Sequence, residues 1–189
     1  LANGATGNIA IVGAKGYILY KIQTSVAAWV RIYTTSAART ADSSRTEGVD
    51  PAPVLTQLVQ KFQTLAPEKE FNLLLPPSCS PIEVDPFHFE QVISNLLDNA
   101  VKYGGDRIQL RLAQSTATQI QVEDNGNGLS PEQAKHIFEQ FYRVPKGNLH
   151  DVKGFGIGLY YVKKIMEKHG GSVSLQTSKN STRFTTDWP

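Results

Sequence analysis

The sequence from Val49 to Pro189 predicts an α+β sandwich, in which amphipathic helices pack on a mostly antiparallel sheet. Three observations lead to this fold class. Apolar residues recur at helical spacing in two long segments, each of which begins at an Asp-Pro pair. Hairpin-like strand segments with period-two alternation follow them. Helical and strand segments are mixed along the chain, as an α+β protein requires.

The first half of this region contains two predicted helices separated by a strand. The first helix begins at Asp50-Pro51 and stops before Pro67. A strand over Phe71–Leu75 ends at a Pro-Pro pair, and Asp85-Pro86 then opens the second helix. That helix has one apolar stripe that would face a sheet: Phe89, Val92, Ile93, Leu96, Leu97, Ala100 and Val101.

The second half predicts a hairpin, two helices and a second hairpin. Ile108, Leu110 and Leu112 mark one strand, and Ile120 and Val122 mark the next. We expect a helix from about Pro131 to Phe141, then a polar stretch that contains glycine. The last helix, about Leu159 to His169, ends at a Gly-Gly pair. Two strands, near Ser172–Thr177 and Thr182–Thr186, close the chain.

Composition excludes several classes of protein. The chain has 189 residues, 40% of them hydrophobic and 19% charged, which argues against disorder. A net charge of +2 predicts no nucleic-acid binding. No apolar run reaches the roughly 20 residues that span a bilayer, and no signal peptide is evident. We therefore expect a cytoplasmic domain without membrane contact, although its parent protein could be anchored in a membrane.

Residues 1–48 differ in character from residues 49–189. They are rich in Ala, Thr, Ser and Gly, with two strand-like runs around Gly16–Ile22 and Trp29–Tyr33. Residues 37–48 are small and polar, which is typical of a linker. We predict a short β-rich segment of unknown role, and an unrelated fusion is one explanation for it.

Polar side chains occupy the opposite side of the second helix from its apolar stripe. Asn95, Asp98, Asn99, Lys102 and Tyr103 lie three or four residues apart, so neighbouring members can converge on one ligand. Asparagine is a poor helix former, so two of them bring no gain in helix propensity. A solvated polar face explains the same pattern equally well.

Two glycine-bearing segments are the other candidates for a binding site. Asp124-Asn125-Gly126-Asn127-Gly128 leaves a buried strand, and its glycines permit a close approach to a flat ligand. Such turns more often bind calcium or nothing, but the acidic residues of a calcium loop are absent. Lys153-Gly154-Phe155-Gly156-Ile157-Gly158-Leu159 opens the last helix, where free backbone N–H groups can bind phosphate. A flexible turn that caps a helix is the less favoured alternative for this second segment.

Together and in this order, these segments resemble the ATP-binding domain of the histidine kinase family. Residues 93–103 are similar to its N box, residues 124–128 to its G1 box, residues 154–159 to its G2 box and residues 137–143 to its F box. The F box is specific to histidine kinases within the superfamily that they share with gyrase and a heat-shock chaperone family. The resemblance covers about three-quarters of the chain and implies the two-layer sandwich of this ATPase type, also called the Bergerat fold.

The resemblance also implies a role for each matching residue. Asn99 would coordinate Mg²⁺ between the phosphates, Asn95 would line the same wall, and Lys102 would contact phosphate. Tyr103 would pack near the adenine, and Asp124 would bind it, with Gly126 and Gly128 shaping that end. The lid over the phosphates would consist of Lys153, Gly154, Phe155, Gly156, Ile157, Gly158 and Leu159. Phe138, Phe141 and Arg143 would brace this lid, although ordinary core and surface positions explain them as well.

None of the four histidines fits the phosphate-accepting pattern of this family. Residues 1–48 contain no histidine and no long amphipathic hairpin, so the family's dimerising domain must lie on another chain or segment. The resemblance implies binding of ATP and ADP, transfer of the γ-phosphate to a histidine-bearing dimerisation domain, and a response-regulator partner. Two alternatives remain open. One is a nucleotide-binding module without catalysis. The other is a superfamily ATPase or serine-kinase anti-sigma factor, against which the F box and the short lid argue.

Overall fold

The computed structural model describes residues 48–144 and 155–189. The predicted β-rich segment, except Gly48, and the two lid residues Lys153 and Gly154 lie outside the described residues. The described helices are α1 (Pro51–Leu65), α2 (Pro86–Tyr103), α3 (Pro131–His136) and α4 (Gly158–Lys168). The described strands are β1 (Glu70–Leu74), β2 (Arg107–Gln114), β3 (Thr118–Asp124), β4 (Ser172–Ser178) and β5 (Ser181–Trp188).

The two long helices begin where the Asp-Pro pairs predicted. The Asp50 side chain accepts a hydrogen bond from the backbone N–H of Ala52, and the Asp85 side chain accepts one from His88. Each helix has proline in its first turn, where the missing N–H costs nothing. Local chemistry therefore sets the start of both helices.

The strands form one five-stranded sheet in the order β1-β2-β3-β5-β4. β1 pairs with β2 in parallel, and the other three pairings are antiparallel. The predicted α+β sandwich with a mostly antiparallel sheet is confirmed. In the β2–β3 hairpin, Asp124 pairs with Ile108. Asp124 is the last residue of β3.

The hydrophobic core lies between the helices and one face of the sheet. In β3 the residues that face the helices, from Thr118 to Asp124 at every second position, are buried, and the alternate residues are partly exposed. The apolar stripe of α2 is buried from Phe89 to Ala100, as predicted, and Trp188 of β5 is fully enclosed. The opposite sheet face carries polar side chains. No helix in the described parts of the chain is long and apolar enough to cross a membrane.

The helix predicted over residues 131–141 was wrong in its length, because α3 ends at His136. Turns follow it, and Phe141 adopts a left-handed backbone conformation with φ of 65°. The N–H of Phe141 donates to the carbonyl of Gly156 at 2.9 Å instead of to a carbonyl one helical turn earlier. A contact with a segment distant in sequence therefore keeps Phe141 out of the helix predicted for it.

Candidate nucleotide-binding site

Two asparagines on the polar side of α2 face the beginning of α4. Asn95 donates from Nδ2 to the backbone carbonyl of Gln91 at 2.7 Å, which leaves its Oδ1 available. A Cβ atom added to Gly158 would lie 2.9 Å from this Oδ1. The glycine at the start of α4 therefore permits a close approach between the two helices.

The N-terminus of α4 has no side-chain cap. The residue at the N-cap is Ile157, whose side chain cannot accept a hydrogen bond from the first turn. The first N–H groups of any helix have no partner within the helix, and they attract anions. This uncapped end lies beside Asn95, so the polar side of α2 and the start of α4 together offer candidate groups for binding an anion.

Asn99 carries an orphaned polar atom. Its Nδ2 is buried and has no hydrogen-bond partner among the described residues. The two ends of an asparagine amide exchange by a half-turn, so this position can present either a donor or a carbonyl oxygen. A buried amide without a partner costs stability, and a ligand would remove this cost. Asn99 is one helical turn from Asn95, on the same side of α2.

Asp124 is a buried carboxylate at the end of β3. Only 6% of its surface is exposed. Its Oδ1 accepts a hydrogen bond from the backbone N–H of Gly126 at 2.8 Å. Burial raises the pKa of Asp124, while hydrogen bonds from the backbone of Gly126 and Gly105 oppose this increase. The carboxylate is therefore held in a fixed orientation, with its charge only partly compensated.

Glycines surround Asp124 at distances that exclude any side chain. A Cβ atom on Gly104 would lie 2.6 Å from the carboxyl carbon of Asp124, and one on Gly126 would lie 2.8 Å from its Oδ1. Gly104 and Gly105 were not among the site residues predicted from the sequence. Two consecutive glycines directly after the polar helix were the signal that could have identified them.

The turn after β3 and the residues before α4 also make close backbone contacts. Gly128 has φ of 67°, and a Cβ atom there would lie 1.8 Å from the carbonyl oxygen of Ser178. Gly156 has φ of 68°, and its Cβ would lie 2.7 Å from the carbonyl oxygen of Tyr142. These two glycines permit contacts with the β4–β5 hairpin and with the F-box turn, respectively.

The other predicted site residues divide between the surface and the core. Lys102 and Tyr103 lie exposed on the last turn of α2, where Lys102 forms an ion pair with Asp98. Phe155 and Ile157 are exposed near the start of α4, whereas Leu159 packs against the core.

Of the residues expected to brace the lid, Phe138 contacts the sheet, and Phe141 contacts the lid residue Gly156. The ring of Phe138 packs edge-on against Phe184 at 6.2 Å, which supports the alternative of an ordinary core position. Phe141 is exposed, and its backbone rather than its ring holds Gly156. Arg143 lies exposed on the turn that follows.

The donor set suits Mg²⁺ held mainly by phosphate. Mg²⁺ takes oxygen ligands and keeps several waters, so few protein ligands are needed when phosphates are present. In residues 48–144 and 155–189 no three His, Cys, Asp or Glu side chains cluster as a metal site. The orphaned amide of Asn99 can supply one oxygen beside the anion site. These residues fit a cation that arrives with a nucleotide.

A shallow cavity also opens on the polar face of the sheet. Its volume is about 370 Å³, and its lining includes Asn72, Gln109, Glu123 and Asn180. Asp124 is also part of its lining. Because purine sites are lined mainly by apolar groups, this polar cavity is a poor candidate for the adenine. The helix side of Asp124 is the better one.

The fold combines an asparagine-bearing helix, a buried aspartate and a glycine-rich helix start, which are the features expected of a nucleotide-binding domain. The family described as histidine kinase-, DNA gyrase B- and HSP90-like ATPase matches residues 84–189, and the chain belongs to this family. Within it, the resemblance to the ATP-binding domain of sensor histidine kinases is confirmed.

Individual relatives agree with this assignment. The sensor protein RprX of Bacteroides fragilis is 46% identical over 109 residues, which are 54% of this chain and 21% of RprX. The signal transduction histidine-protein kinase ArlS of Staphylococcus haemolyticus is 29% identical over 125 residues, or 65% of this chain and 28% of ArlS. This chain thus spans under a third of the length of either relative.

A solved structure gives the same result. The ATP-binding domain of PrrB from Mycobacterium tuberculosis superposes with a TM-score of 0.61 at 26% identity. The superposition covers 75% of this chain and 94% of the PrrB chain. The shared fold thus extends over nearly the whole of that ATP-binding domain.

Proposed function

We propose that residues 49–189 bind Mg-ATP and transfer its γ-phosphate to a histidine of a sensor kinase's dimerisation domain. The observation that carries the proposal is the buried, orphaned amide of Asn99, one turn from Asn95 and the uncapped start of α4. A buried polar atom without a partner among the described residues requires an explanation, and a bound ligand supplies one. A nucleotide phosphate with its Mg²⁺ satisfies both the amide and the helix N-terminus.

The nucleotide spans the distance between two ends of the site. Asp124 accepts a hydrogen bond from the exocyclic amine of adenine, in a turn shaped by Gly126 and Gly128. Asn95, Asn99 and Lys102 lie toward the phosphates, and Lys102 exchanges its partner Asp98 for a phosphate oxygen. Tyr103 covers the base. The segment from Lys153 to Leu159 closes over the phosphates.

Catalysis by such a site consists of positioning and charge compensation. Phosphoryl transfer leaves little covalent chemistry for the protein, because the nucleophile is supplied by the acceptor imidazole. Mg²⁺, held with the nucleotide beside Asn99, would compensate the charge of the phosphates. The amide of Asn99, the Lys102 ammonium and the backbone N–H groups of α4 orient the γ-phosphate for in-line attack. A histidine-bearing dimerisation domain and, downstream, a response regulator are the partners that this chemistry requires, and both work in the cytoplasm, where ATP is supplied.

Calorimetric titration of ATP, with and without Mg²⁺, tests the binding step. We expect saturable binding that Mg²⁺ strengthens and that Asp124→Ala removes. Glu167→Gln is the matched control, because Glu167 is a surface carboxylate that pairs with Lys164 at 2.7 Å on α4. Loss of binding in the control as well would point to a folding defect. A folded wild-type protein that binds no ATP would overturn the proposal and favour an interaction module.

Transfer is tested in the full-length kinase that carries this domain. Radiolabelled γ-phosphate should appear as an acid-labile, base-stable phosphohistidine, and Asn99→Ala should abolish it while the chain stays folded. Labelling of serine or threonine instead would favour the serine-kinase alternative.

A further inference from the structure

Lys69, which was not among the site residues predicted from the sequence, binds the loop between α2 and β2. Lys69 lies in the turn between α1 and β1, and it is half-buried. Its ammonium group donates to the carbonyl oxygen of Gly105 at 2.7 Å and lies 3.4 Å from that of Gly104. Because Lys69 donates its hydrogen bonds to backbone carbonyls rather than to a carboxylate, it fixes the position of the α2–β2 loop.

The same loop is held from its other side by Asn125. The Asn125 side chain accepts a hydrogen bond from the backbone N–H of Arg107 at 2.9 Å and donates to Asp106 at 2.7 Å. The loop that contains the Gly104-Gly105 turn is therefore held by hydrogen bonds from Lys69 on one side and Asn125 on the other. Little freedom remains for the turn to move.

One peptide group connects Lys69 to Asp124. The carbonyl of Gly104 faces the Lys69 ammonium, and the N–H of the same peptide group, on Gly105, is directed at the Asp124 carboxylate. A cation at the oxygen end of a peptide polarises its N–H and strengthens the hydrogen bond that the N–H donates. Lys69 thus supports the carboxylate both through this peptide and through its own charge.

The charges that face Asp124 agree with this role. Burial raises the pKa of Asp124, and the Lys69 charge lowers it, whereas neighbouring Glu123 raises it. Glu123 is itself paired with Arg183 at 2.8 Å, so its effect on Asp124 is partly compensated. Asp106, the other carboxylate of the loop, is exposed and has a lowered pKa, first because Asn125 donates to it. Lys69 is the cation that acts on Asp124 among the described residues.

We propose that Lys69 is a positioning residue for adenine recognition: by holding the Gly104-Gly105 turn, it keeps the Asp124 carboxylate oriented and charged toward the exocyclic amine of the base. This inference rests on the proposed ATP-binding function and adds a determinant of base specificity to it. Lys69 itself does not contact the nucleotide. Its effect is confined to the adenine end of the site.

The test compares Lys69→Met with Lys69→Arg in calorimetric titrations of two nucleotides. ATP carries the exocyclic amine, and purine riboside triphosphate lacks it. We expect Lys69→Met to weaken ATP binding about fivefold to tenfold at pH 7, which is the scale of one hydrogen bond between Asp124 and the base. Binding of purine riboside triphosphate should stay unchanged, because Asp124 has no amine to accept from. Lys69→Arg should retain most of the preference for ATP, and Lys61→Met on the exposed side of α1 should behave as wild type.

A pH series and an NMR titration separate this inference from the proposed function. In Lys69→Met the loss of ATP affinity on acidification should begin at a higher pH than in wild type. The pKa of the Asp124 carboxyl, followed by carbon NMR without nucleotide, should rise in the same variant. Equal weakening of both nucleotides, or an unchanged Asp124 titration, would overturn the role of Lys69 alone. A wild-type protein that binds neither nucleotide would overturn the proposed function and the adenine role with it.

Discussion

Gly128 and Gly170 allow the cost of a close backbone approach to be separated from the cost of backbone strain. Both have left-handed conformations, with φ of 67° and 72°. A Cβ atom on Gly170 would meet nothing within 4 Å, whereas one on Gly128 would lie 1.8 Å from the carbonyl oxygen of Ser178. Substitution by alanine therefore imposes the same strain at both positions and a steric overlap at only one of them.

The expected magnitudes follow from these contacts. A left-handed alanine costs about 1–2 kcal/mol, which is the whole effect expected for Gly170→Ala. At Gly128 the overlap is about 1.5 Å relative to an ordinary carbon–oxygen contact of about 3.3 Å. Because both atoms belong to, or are fixed to, backbone, no rotamer change can relieve this overlap. The turn and the β4–β5 hairpin must move apart, at a cost of about 1–3 kcal/mol. This movement also breaks the hydrogen bond from Leu129 N–H to Thr177 Oγ1, now 2.8 Å, worth about 1 kcal/mol.

We therefore expect Gly128→Ala to lower the free energy of unfolding by about 3–6 kcal/mol, a large share of the 5–15 kcal/mol typical of a domain. Urea denaturation followed by circular dichroism measures both variants under one condition. Equal losses of about 1–2 kcal/mol in the two variants would refute the reasoning. Such a result would mean that the turn shifts freely and that the contact with Ser178 has no energetic weight.

Three further predictions concern charge and capping. Asp124→Asn should be more stable than wild type at pH 7, by a few degrees in Tm, yet lose ATP binding. Because the pKa of Asp124 is raised in the folded state, ionisation of this carboxyl above that pKa destabilises wild type, and the thermal melts of the two proteins should converge toward pH 4. Burial, and then the neighbouring His88, lowers the pKa of His169 below its ordinary 6.5. Its stabilising contribution is therefore present above pH 6.5 and lost as the pH falls below it, so urea midpoints between pH 7 and 5 should fall less steeply in His169→Gln than in wild type. Ser130→Ala removes the capping box with Gln133 and should cost about 1 kcal/mol in the same denaturation assay; no change would show that α3 is held by tertiary contacts alone.

Much of the fold could be predicted because its signals are local. The starts of α1 and α2 follow from an aspartate directly before a proline, and the hairpin strands follow from period-two alternation. The order of the polar helix, the aspartate turn and the glycine segment was enough to indicate the family, because each pattern is short and contiguous.

The conformation of Phe141 at the end of the predicted helix could not be predicted, because its backbone partner lies elsewhere in the chain. Residues 131–141 have helical periodicity, but the N–H of Phe141 is taken by the carbonyl of Gly156. The parallel pairing of β1 with β2 was likewise invisible, since neither strand records its partner's direction.

The sequence by itself determined the α+β class, the helix starts, the family and the residue types of the site, because capping, periodicity and motif spacing act over a few neighbouring residues. Only the tertiary structure decided that Asp124 is buried among glycines, that Asn95 meets the start of α4, and that Lys69 holds the turn behind the aspartate. These features depend on contacts between segments roughly 20 to 60 residues apart in the sequence. The physical reason is that burial and electrostatic coupling are set by distance in space, which spacing along the sequence does not measure.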